Sequence, residues 1–285
     1  MRVCVLSSGS GGNCLWVEAG GARVLVDAGL SLKETRRRCA EVGLDLRDAT
    51  DLLLTHEHAD HSCGAGAIAR KLSLRVHATP RTLAALRDGP PEELCFPLAA
   101  GQPLLLGGLQ VMPLAVPHDA ADPVAYTFEE RTPAGSVRAA IVTDLGSAPA
   151  KLVRALSGLD ALVLEMNHDV RMLLEGAYPY RLKQRIRSDV GHLSNAQGAV
   201  LLRGVLHADL RHVVLAHLSE HNNSLAHARR AAEAVLAHGG RCAEIQIAGQ
   251  QRPLAPIELT AAGMARGGRA GRGFGRRPQQ LSLFG

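Results

Sequence analysis

Four side chains that can bind metal lie close together after the apolar run at residues 52–54: His56, His58, Asp60 and His61. Their spacing, H-x-H-x-D-H, suits a loop that leaves a buried strand. Such a loop can present the first two histidines to one divalent ion while the D-H pair turns toward a neighbouring ion. Imidazole and carboxylate ligands in this mixture suit Zn²⁺, Mn²⁺ or Fe. The segment therefore predicts a site for two divalent metal ions.

Two ions need more ligands than this loop provides, so other parts of the chain must return to it. Three metal-binding side chains follow strand-like runs elsewhere: His118, Asp144 and His217. A carboxylate with two oxygens can bridge two cations about 3.5–4 Å apart, and we assign that role to Asp144. Each of the three could instead be a hydrogen-bonded structural group. Together with the upstream motif, however, they indicate convergence on one site.

The elements that position these residues are predicted from hydrophobic runs and helix-start signals. Strand-like runs cover residues 3–6, 24–27, 52–55, 74–77, 104–106, 110–114, 124–128, 137–143, 161–164, 212–216 and 244–247. Helices are predicted after Ser31 and Thr79, and over residues 194–208 and 224–238. Two packed sheets with helices outside fit this order, and so does one doubly wound sheet. Periodicity alone leaves both open.

Composition excludes several classes of protein. The chain of 285 residues is 46% hydrophobic, which is enough to form a core. No apolar stretch approaches the roughly 18 residues of a membrane-spanning helix, and residues 1–13 do not resemble a signal peptide. The six cysteines include no C-x-x-C pair, so neither a zinc ribbon nor a disulfide framework is indicated. We expect a cytoplasmic protein with reduced thiols and no membrane contact.

The formal net charge of +5 comes from the end of the chain, because residues 263–285 contain five arginines and no acidic side chain. The remainder is formally neutral, so a phosphate-binding surface there must be a local patch. The Gly/Arg-rich composition of the tail cannot form a core. We therefore predict one domain over residues 1–262 and a flexible basic tail over residues 263–285.

The order of an H-x-H-x-D-H segment, a histidine, an aspartate and a last histidine resembles that of the metallo-β-lactamase-fold hydrolases. The similarity runs from about Val3 to Leu259 and implies an α/β (α+β) fold, the αββα sandwich. It implies a first ion bound by His56, His58 and His118. It implies a second ion bound by Asp60, His61 and His217, with Asp144 bridging the two.

Four stretches are similar to the YycJ/WalJ-type branch of nucleases within that superfamily. They cover residues 7–13, 164–169, 191–195 and 217–223. The similarity implies a phosphodiesterase that degrades DNA from its 5′ end in DNA repair or replication. Ribonuclease Z has a related order of residues, so RNA processing is an alternative. Hydrolysis of a small molecule with a lactam or thioester bond is another, and a non-catalytic DNA adaptor is the third.

Phosphodiester cleavage leaves an alkoxide that needs a proton from an acid with a pKa near 7. We predict that His192 supplies it and that Glu165 orients this ring, because a nearby carboxylate favours the charged imidazole. Asp60 is predicted to contribute to catalysis as a metal ligand. The alternative for His192 is a capping role at the helix that follows it. His168 and His221 are expected near the site without being ligands.

The phosphate backbone must also be held during cleavage. The Gly/Ser-rich segment at residues 7–13 can present backbone N–H groups to phosphate, and a basic run lies just before His192. The alternative for the basic run is a solvated face. Substrate contacts are predicted for Ser7, Ser8, Asn13, Arg181, Lys183, Ser194 and Asn222. Aromatic residues make up 3% of the chain, so base stacking is expected from no residues other than Tyr178 and Tyr180.

The final residues carry large apolar side chains after the basic tail, which favours a partner that covers them. The segment Gln280-Leu281-Ser282-Leu283-Phe284 is similar to the pentapeptide with which bacterial replication and repair proteins bind the DNA sliding clamp. The similarity implies that its apolar side chains fill the clamp's pocket while Gln280 fixes the orientation. The protein would then be nucleoid-associated when bound to the clamp. The alternative is that the segment folds back onto the domain.

Overall fold

A computed structural model of the protein describes residues 1–240 and 242–261. Within them the strands form two seven-stranded sheets. The first contains β1 (Arg2–Ser7), β2 (Cys14–Ala19), β3 (Ala22–Val26), β4 (Asp51–Leu53), β5 (Arg75–Ala78), β6 (Cys95–Pro97) and β14 (Ile257–Glu258). The second contains β7 (Leu104–Leu106), β8 (Leu109–Ala115), β9 (Val124–Thr132), β10 (Gly135–Val142), β11 (Ala161–Glu165), β12 (His212–Ala216) and β13 (Glu244–Ile247).

Both sheets are mixed. The strand order is β14-β1-β2-β3-β4-β5-β6 in the first and β13-β12-β11-β10-β9-β8-β7 in the second. Strands β3 to β6 are parallel neighbours, and so are β10 to β13. Parallel neighbours end at the same edge of a sheet, so the loops that leave them lie side by side.

Helices cover the outer faces of the two sheets. Those in the described residues are α1 (Leu32–Glu41), α2 (Ala59–Ser62), α3 (Ala65–Leu72), α4 (Pro80–Ala85), α5 (Ala150–Ala155), α6 (Val170–Glu175), α7 (Tyr180–Arg187), α8 (Asn195–Val205) and α9 (Leu225–His238). Single 3₁₀ turns cover Leu46–Asp48 and Glu92–Leu94. None of the described helices has the length and apolar character needed to cross a membrane.

Alternation of side chains along the strands shows why both faces of each sheet are covered. In β1, Val3 and Val5 lie in the core between the sheets, whereas Cys4 and Leu6 pack with the helices outside the first sheet. Strand β10 divides in the same way between the central core and the layer of α5, α8 and α9. The αββα sandwich is therefore confirmed, and a single doubly wound sheet is excluded.

The predicted helix starts are confirmed by their caps. Ser31 accepts a hydrogen bond from Glu34 N at the start of α1, and Thr79 accepts one from Thr82 N at the start of α4. Strand β2 was not predicted, although its six residues are mostly buried. It follows the Gly/Ser-rich segment directly, and its pairing with β1 and β3 depends on contacts outside any local pattern.

Candidate metal centre

The loops that leave four strands meet at one end of the sandwich and bring together all seven predicted metal ligands. The loop after β4 carries the H-x-H-x-D-H segment, and the loops after β8, β10 and β12 carry one residue each. Three groups have ligand atoms within 4.8 Å of one another: His56, His58 and His118; Asp60, His61 and His217; and His56, His61 and Asp144. The last group shares His56 with the first and His61 with the second, and it places Asp144 beside both.

Three ligand atoms in this cluster are buried without a well-aligned hydrogen bond: His56 Nε2, Asp144 Oδ2 and His217 Nε2. Asp144 Oδ2 lies 3.2 Å from His61 Nε2 and His217 Nε2 lies 3.6 Å from Asp60 Oδ2, but neither contact has good hydrogen-bond geometry. A buried polar atom without a partner costs about 1–3 kcal/mol, so three in one cluster indicate a partner of another kind. Imidazole nitrogens and carboxylate oxygens are the donors that Zn²⁺, Mn²⁺ and Fe accept. The residues present therefore fit a divalent-metal centre.

Protons balance the charge of the buried carboxylates in this cluster. Burial lowers the pKa of His217, but the neighbouring carboxylates, Asp144 first among them, outweigh burial and raise it to about 10. Asp144 and Asp27 likewise raise the pKa of His61 well above its usual value against the effect of burial. Burial acts to raise the pKa of Asp144, but these two imidazoles hold it well below its usual value. A divalent cation can replace the two protons.

His56 and His118, in the first group, differ from His61 and His217 in charge. Burial lowers the pKa of both His56 and His118, so their rings are neutral. His56 Nδ1 lies 3.0 Å from Thr55 Oγ1, and His118 Nδ1 lies 3.1 Å from the Gly191 carbonyl oxygen. These contacts occupy one nitrogen of each ring and leave Nε2 for a metal ion.

Asp27, which the sequence analysis did not single out, orients His61. It follows β3 directly and is fully buried. Its carboxylate accepts a hydrogen bond from Thr55 N at 2.8 Å and lies 2.7 Å from His61 Nδ1. His61 Nε2 is then left to face Asp144, at 3.2 Å from Oδ2. One feature of the sequence could have identified Asp27: it lies at the end of the predicted strand 24–27, at the same edge as the loops that carry the ligands.

Three residues of the site have a left-handed backbone: Asp27 (φ 62°), Asp144 (φ 60°) and His217 (φ 54°). Ser73 is the other non-glycine residue with positive φ in the described part of the chain. This conformation costs about 1–3 kcal/mol per residue and persists where the surrounding structure enforces it. Its concentration just beyond three strand ends is typical of a functional site.

The Gly/Ser-rich segment at residues 7–13 packs against the loop that follows β4 and carries the H-x-H-x-D-H segment. Asn13 N donates to the Asp60 carbonyl oxygen at 2.7 Å, and its side-chain amide lies 2.9 Å from His61 Nε2. Ser8 Oγ accepts from His217 N at 2.8 Å, and Ser7 Oγ donates to the Gly12 carbonyl oxygen. The side chains of Ser7, Ser8 and Asn13 are thus buried in contacts within the protein. The exposed part of the segment is Ser10 and Gly11.

Glu165 and His192 form the pair that the sequence predicts. His192 Nδ1 lies 2.7 Å from Glu165 Oε1, and the other carboxylate oxygen accepts from Leu145 N and Leu193 N. The N-cap of α8 is Ser194, so capping does not account for His192. The ligand atoms of Asp144, Glu165, His192 and His217 also lie within 4.8 Å of one another. His192 therefore borders the metal cluster as well as the cavity beside it.

A cavity of about 250 Å³ adjoins the metal cluster. Tyr178, Leu182, Arg185 and Ile186 line it from the side of α7, and Arg185 forms an ion pair with Asp119. Arg181 and Lys183, on the same helix, do not line it, and Lys183 Nζ donates to the Leu174 carbonyl oxygen.

The remaining predicted residues surround the site without lining this cavity. Ser194 forms a capping box with Gln197, and the Asn222 carbonyl oxygen accepts from Asp169 N. Burial lowers the pKa of His168 to about 4, whereas His221 is exposed. Asn167, which was not assigned a role of its own, donates to the His217 carbonyl oxygen at 2.9 Å and lines the cavity. The predicted clamp-binding segment at residues 280–284 lies outside the described residues.

Residues 22–218 match the profile that describes the Beta-lactamase superfamily domain. The chain belongs to the β-lactamase superfamily. This match covers the seven predicted ligands, and it agrees with the αββα architecture described above.

Two curated relatives place the chain within the superfamily. Exodeoxyribonuclease YycJ of Bacillus anthracis is 38% identical over 243 residues, which are 84% of this chain and 90% of the relative. Exodeoxyribonuclease WalJ of Streptococcus pneumoniae is 34% identical over 235 residues, which are 79% of this chain and 85% of the relative. The YycJ/WalJ-type branch predicted from the sequence is therefore confirmed.

Solved structures confirm the fold. The metallo-β-lactamase fold protein YhfI from Bacillus subtilis superposes with a TM-score of 0.67 at 16% identity, over 89% of this chain and 98% of its own. Zn²⁺-bound PqqB from Methylobacterium extorquens also gives a TM-score of 0.67, at 19% identity, over 91% of this chain and 100% of its own.

Proposed function

We propose that this chain is a two-metal phosphodiesterase that removes nucleotides from the 5′ end of DNA. The observation that carries the proposal is the cluster of buried ligand atoms without well-aligned hydrogen bonds, in a chain whose relatives over most of its length are named exodeoxyribonucleases. Bound ions supply Lewis acidity that activates water and neutralises charge on the phosphate. One ion would be held by His56, His58 and His118, and the other by Asp60, His61 and His217, with Asp144 contacting both.

His192 donates the proton that the leaving oxygen requires. Its Nδ1 faces the buried Glu165 carboxylate, so Nε2 is the nitrogen left for the substrate. Glu165 keeps the ring in that tautomer and fixes its orientation. Two backbone N–H groups, from Leu145 and Leu193, hold the carboxylate in place. Asp60 acts in catalysis as a metal ligand, together with Glu165 and His192.

The DNA backbone lies across the opening of the cavity. Arg185 is 56% exposed and lines the cavity, so it can exchange its partner Asp119 for a phosphate. Arg181 and Lys183 extend the positive charge along the outside of α7. Ser10 also lines the cavity and can contact the phosphate. The buried side chains of Ser7, Ser8 and Asn13 hold the loop that carries it. Ser194 and Asn222 act by bracing the loops that carry His192 and His217.

The proposal also includes a partner, the DNA sliding clamp, to which the enzyme is tethered. The QLSLF sequence at residues 280–284 supports it, as does the Gly/Arg-rich composition that separates these residues from the domain at residues 1–262. A tether raises the effective concentration of the enzyme on DNA toward the millimolar range for short flexible linkers. Deletion of residues 280–284 should leave the cleavage of short oligonucleotides unchanged and abolish retention on immobilised clamp. Retention of the shortened chain would contradict the tether.

RNA is the second candidate substrate. Ribonuclease Z from a Bradyrhizobium species is 35% identical over 132 residues, although these are 40% of this chain and 42% of that protein. The residues that hold metal and donate the proton serve RNA and DNA alike. The two candidates therefore differ in which backbone the cavity accepts, and substrates of identical sequence separate them.

The test uses single-stranded DNA with a 5′-terminal phosphate and a label on the first nucleotide, incubated with Mn²⁺ or Zn²⁺. We expect release of the labelled first nucleotide as a mononucleotide, and no release by Asp60→Ala or His61→Ala. His238→Ala is the matched control, because this exposed histidine at the end of α9 is in none of the ligand groups and does not line the cavity. Preferential cleavage of the matching RNA would favour the second candidate. Turnover of nitrocefin or a thioester without nucleotide release would contradict both.

A further inference from the structure

The residues that line the cavity beside the metal cluster are of two kinds. Polar groups of the site line it, including His58, Asp144 and His192. Apolar side chains also line it, among them Leu182 and Ile186 of α7, the helix that also contributes Arg185. These two residues are four apart and so lie on one face of the helix. A nucleotide has the matching division, with a charged phosphate at one end and a flat base at the other.

Tyr178 also lines this cavity, and its side chain is aromatic. Trp16, Tyr126 and Phe128 are buried in the hydrophobic layers of the sandwich. Tyr180 is 75% exposed and does not line the cavity. Within the part of the chain that the structure describes, Tyr178 is therefore the one tyrosine, tryptophan or phenylalanine that lines the cavity beside the metal cluster.

Local structure holds the Tyr178 ring in place. Pro179 follows it, which restricts the backbone of Tyr178 to extended conformations. His221 packs against the ring edge to face, with the ring centres 5.8 Å apart and the planes at 69°. A tyrosine side chain has two rotatable bonds, so little conformational freedom remains to be lost when a ligand binds.

We propose that Tyr178 stacks on the base of the terminal nucleotide of the DNA while the adjoining phosphate lies against the metal cluster. The inference rests on the proposed nuclease function and adds the residue that binds the base. Every base has a π face, so stacking on an aromatic side chain tolerates all of them. Leu182 and Leu218 line the same cavity, and their side chains present no hydrogen-bond donors to the base. The site therefore binds a terminal nucleotide without sequence preference.

The experiment combines a change in the protein with a change in the substrate. Wild type, Tyr178→Ala and Tyr178→Phe, each loaded with metal, are compared on two 5′-phosphorylated oligonucleotides. One carries a normal terminal base, and the other carries a stable abasic residue at that position. The readouts are kcat/KM for release of the first nucleotide, and equilibrium affinity for versions with nuclease-resistant terminal linkages. Tyr180→Ala is the matched control, because it removes an exposed tyrosine from the same segment.

We expect Tyr178→Ala and the abasic end each to reduce kcat/KM and affinity roughly 5- to 150-fold, the range of one base–aromatic stack. Combined, they should give no further loss, because both remove the same contact. Tyr178→Phe and Tyr180→Ala should stay close to wild type. Losses that multiply, or wild-type values for Tyr178→Ala, would overturn the role of Tyr178. If wild type released nucleotides from neither substrate, the proposed nuclease function itself would be wrong.

Discussion

Replacement of Asp27 by asparagine tests whether this buried residue prepares His61 for a metal ion. Both carboxylate oxygens of Asp27 are engaged: Oδ1 accepts from Thr55 N at 2.8 Å, and Oδ2 lies 2.7 Å from His61 Nδ1. Asparagine has nearly the same shape but offers one acceptor oxygen and one donor NH₂ group. Whichever way the amide turns, a donor faces either the Thr55 N–H or the His61 Nδ1–H.

The magnitude follows from this mismatch. A buried donor that loses its acceptor costs about 1–3 kcal/mol. The neutral His61 ring that metal binding requires can relieve it by carrying its one proton on Nε2, the atom that lies 3.2 Å from Asp144 Oδ2. A nitrogen that carries a proton cannot bind a metal ion. We therefore expect Asp27→Asn to weaken the ion at Asp60, His61 and His217 about 10- to 100-fold, the usual effect of removing a partner of a metal ligand.

The assay is a competition titration against a chromophoric chelator, with Asp51→Asn as the control. Asp51 is also fully buried and lies 2.8 Å from His77 Nε2, but it begins β4, at the opposite end from the ligand loop. Asp51→Asn should lower the free energy of unfolding and leave the metal affinities unchanged. Equal affinities in Asp27→Asn and wild type would refute the reasoning. An equal loss in both variants would show a general effect of stability.

Three further expectations follow from the same contacts. The pKa of His217 is about 10 without metal, so its ring is protonated at pH 7; metal binding should release protons and tighten as pH rises toward 10. Calorimetry in buffers of different ionisation enthalpy measures this, and a buffer-independent enthalpy would contradict it. His192→Ala should slow nucleotide release by roughly 10²–10⁴ with unchanged metal content, whereas an unchanged rate would remove the acid role. In Gly29→Ala the new Cβ would meet the Asp60 carbonyl oxygen at 1.8 Å, so elemental analysis should show lost metal; in Gly249→Ala, where the Cβ meets nothing within 4 Å, it should not. Full metal content in Gly29→Ala would show that the loop tolerates the shift.

The convergence of the predicted ligands could be anticipated from the sequence because its information is local. The H-x-H-x-D-H spacing places four ligands on one loop, and strand ends place the others at one edge of the sandwich. The layer arrangement was ambiguous, because short strands separated by helices suit a sandwich and a doubly wound sheet equally well. Family resemblance pointed to the sandwich, and the alternation of β1 between two cores shows it.

The residues that orient the ligands could not be predicted. Asp27 reaches His61 across 34 residues of sequence, and its left-handed backbone has no signature in a single sequence. The segment of residues 7–13 was expected to contact phosphate, but composition does not tell which way its side chains turn. In the structure Asn13 turns inward to the metal loop, and Ser10 faces the cavity. The direction of side chains on α7 was open for the same reason.

Anomalous diffraction from crystals of the metal-loaded protein tests most directly whether two cations occupy the convergence of the four loops. We expect two peaks about 3.5–4 Å apart. One should lie about 2.0–2.2 Å from ligand atoms of His56, His58 and His118, and the other at the same distance from those of Asp60, His61 and His217. Asp144 should contact both. A single peak, or peaks away from these residues, would contradict the two-metal centre.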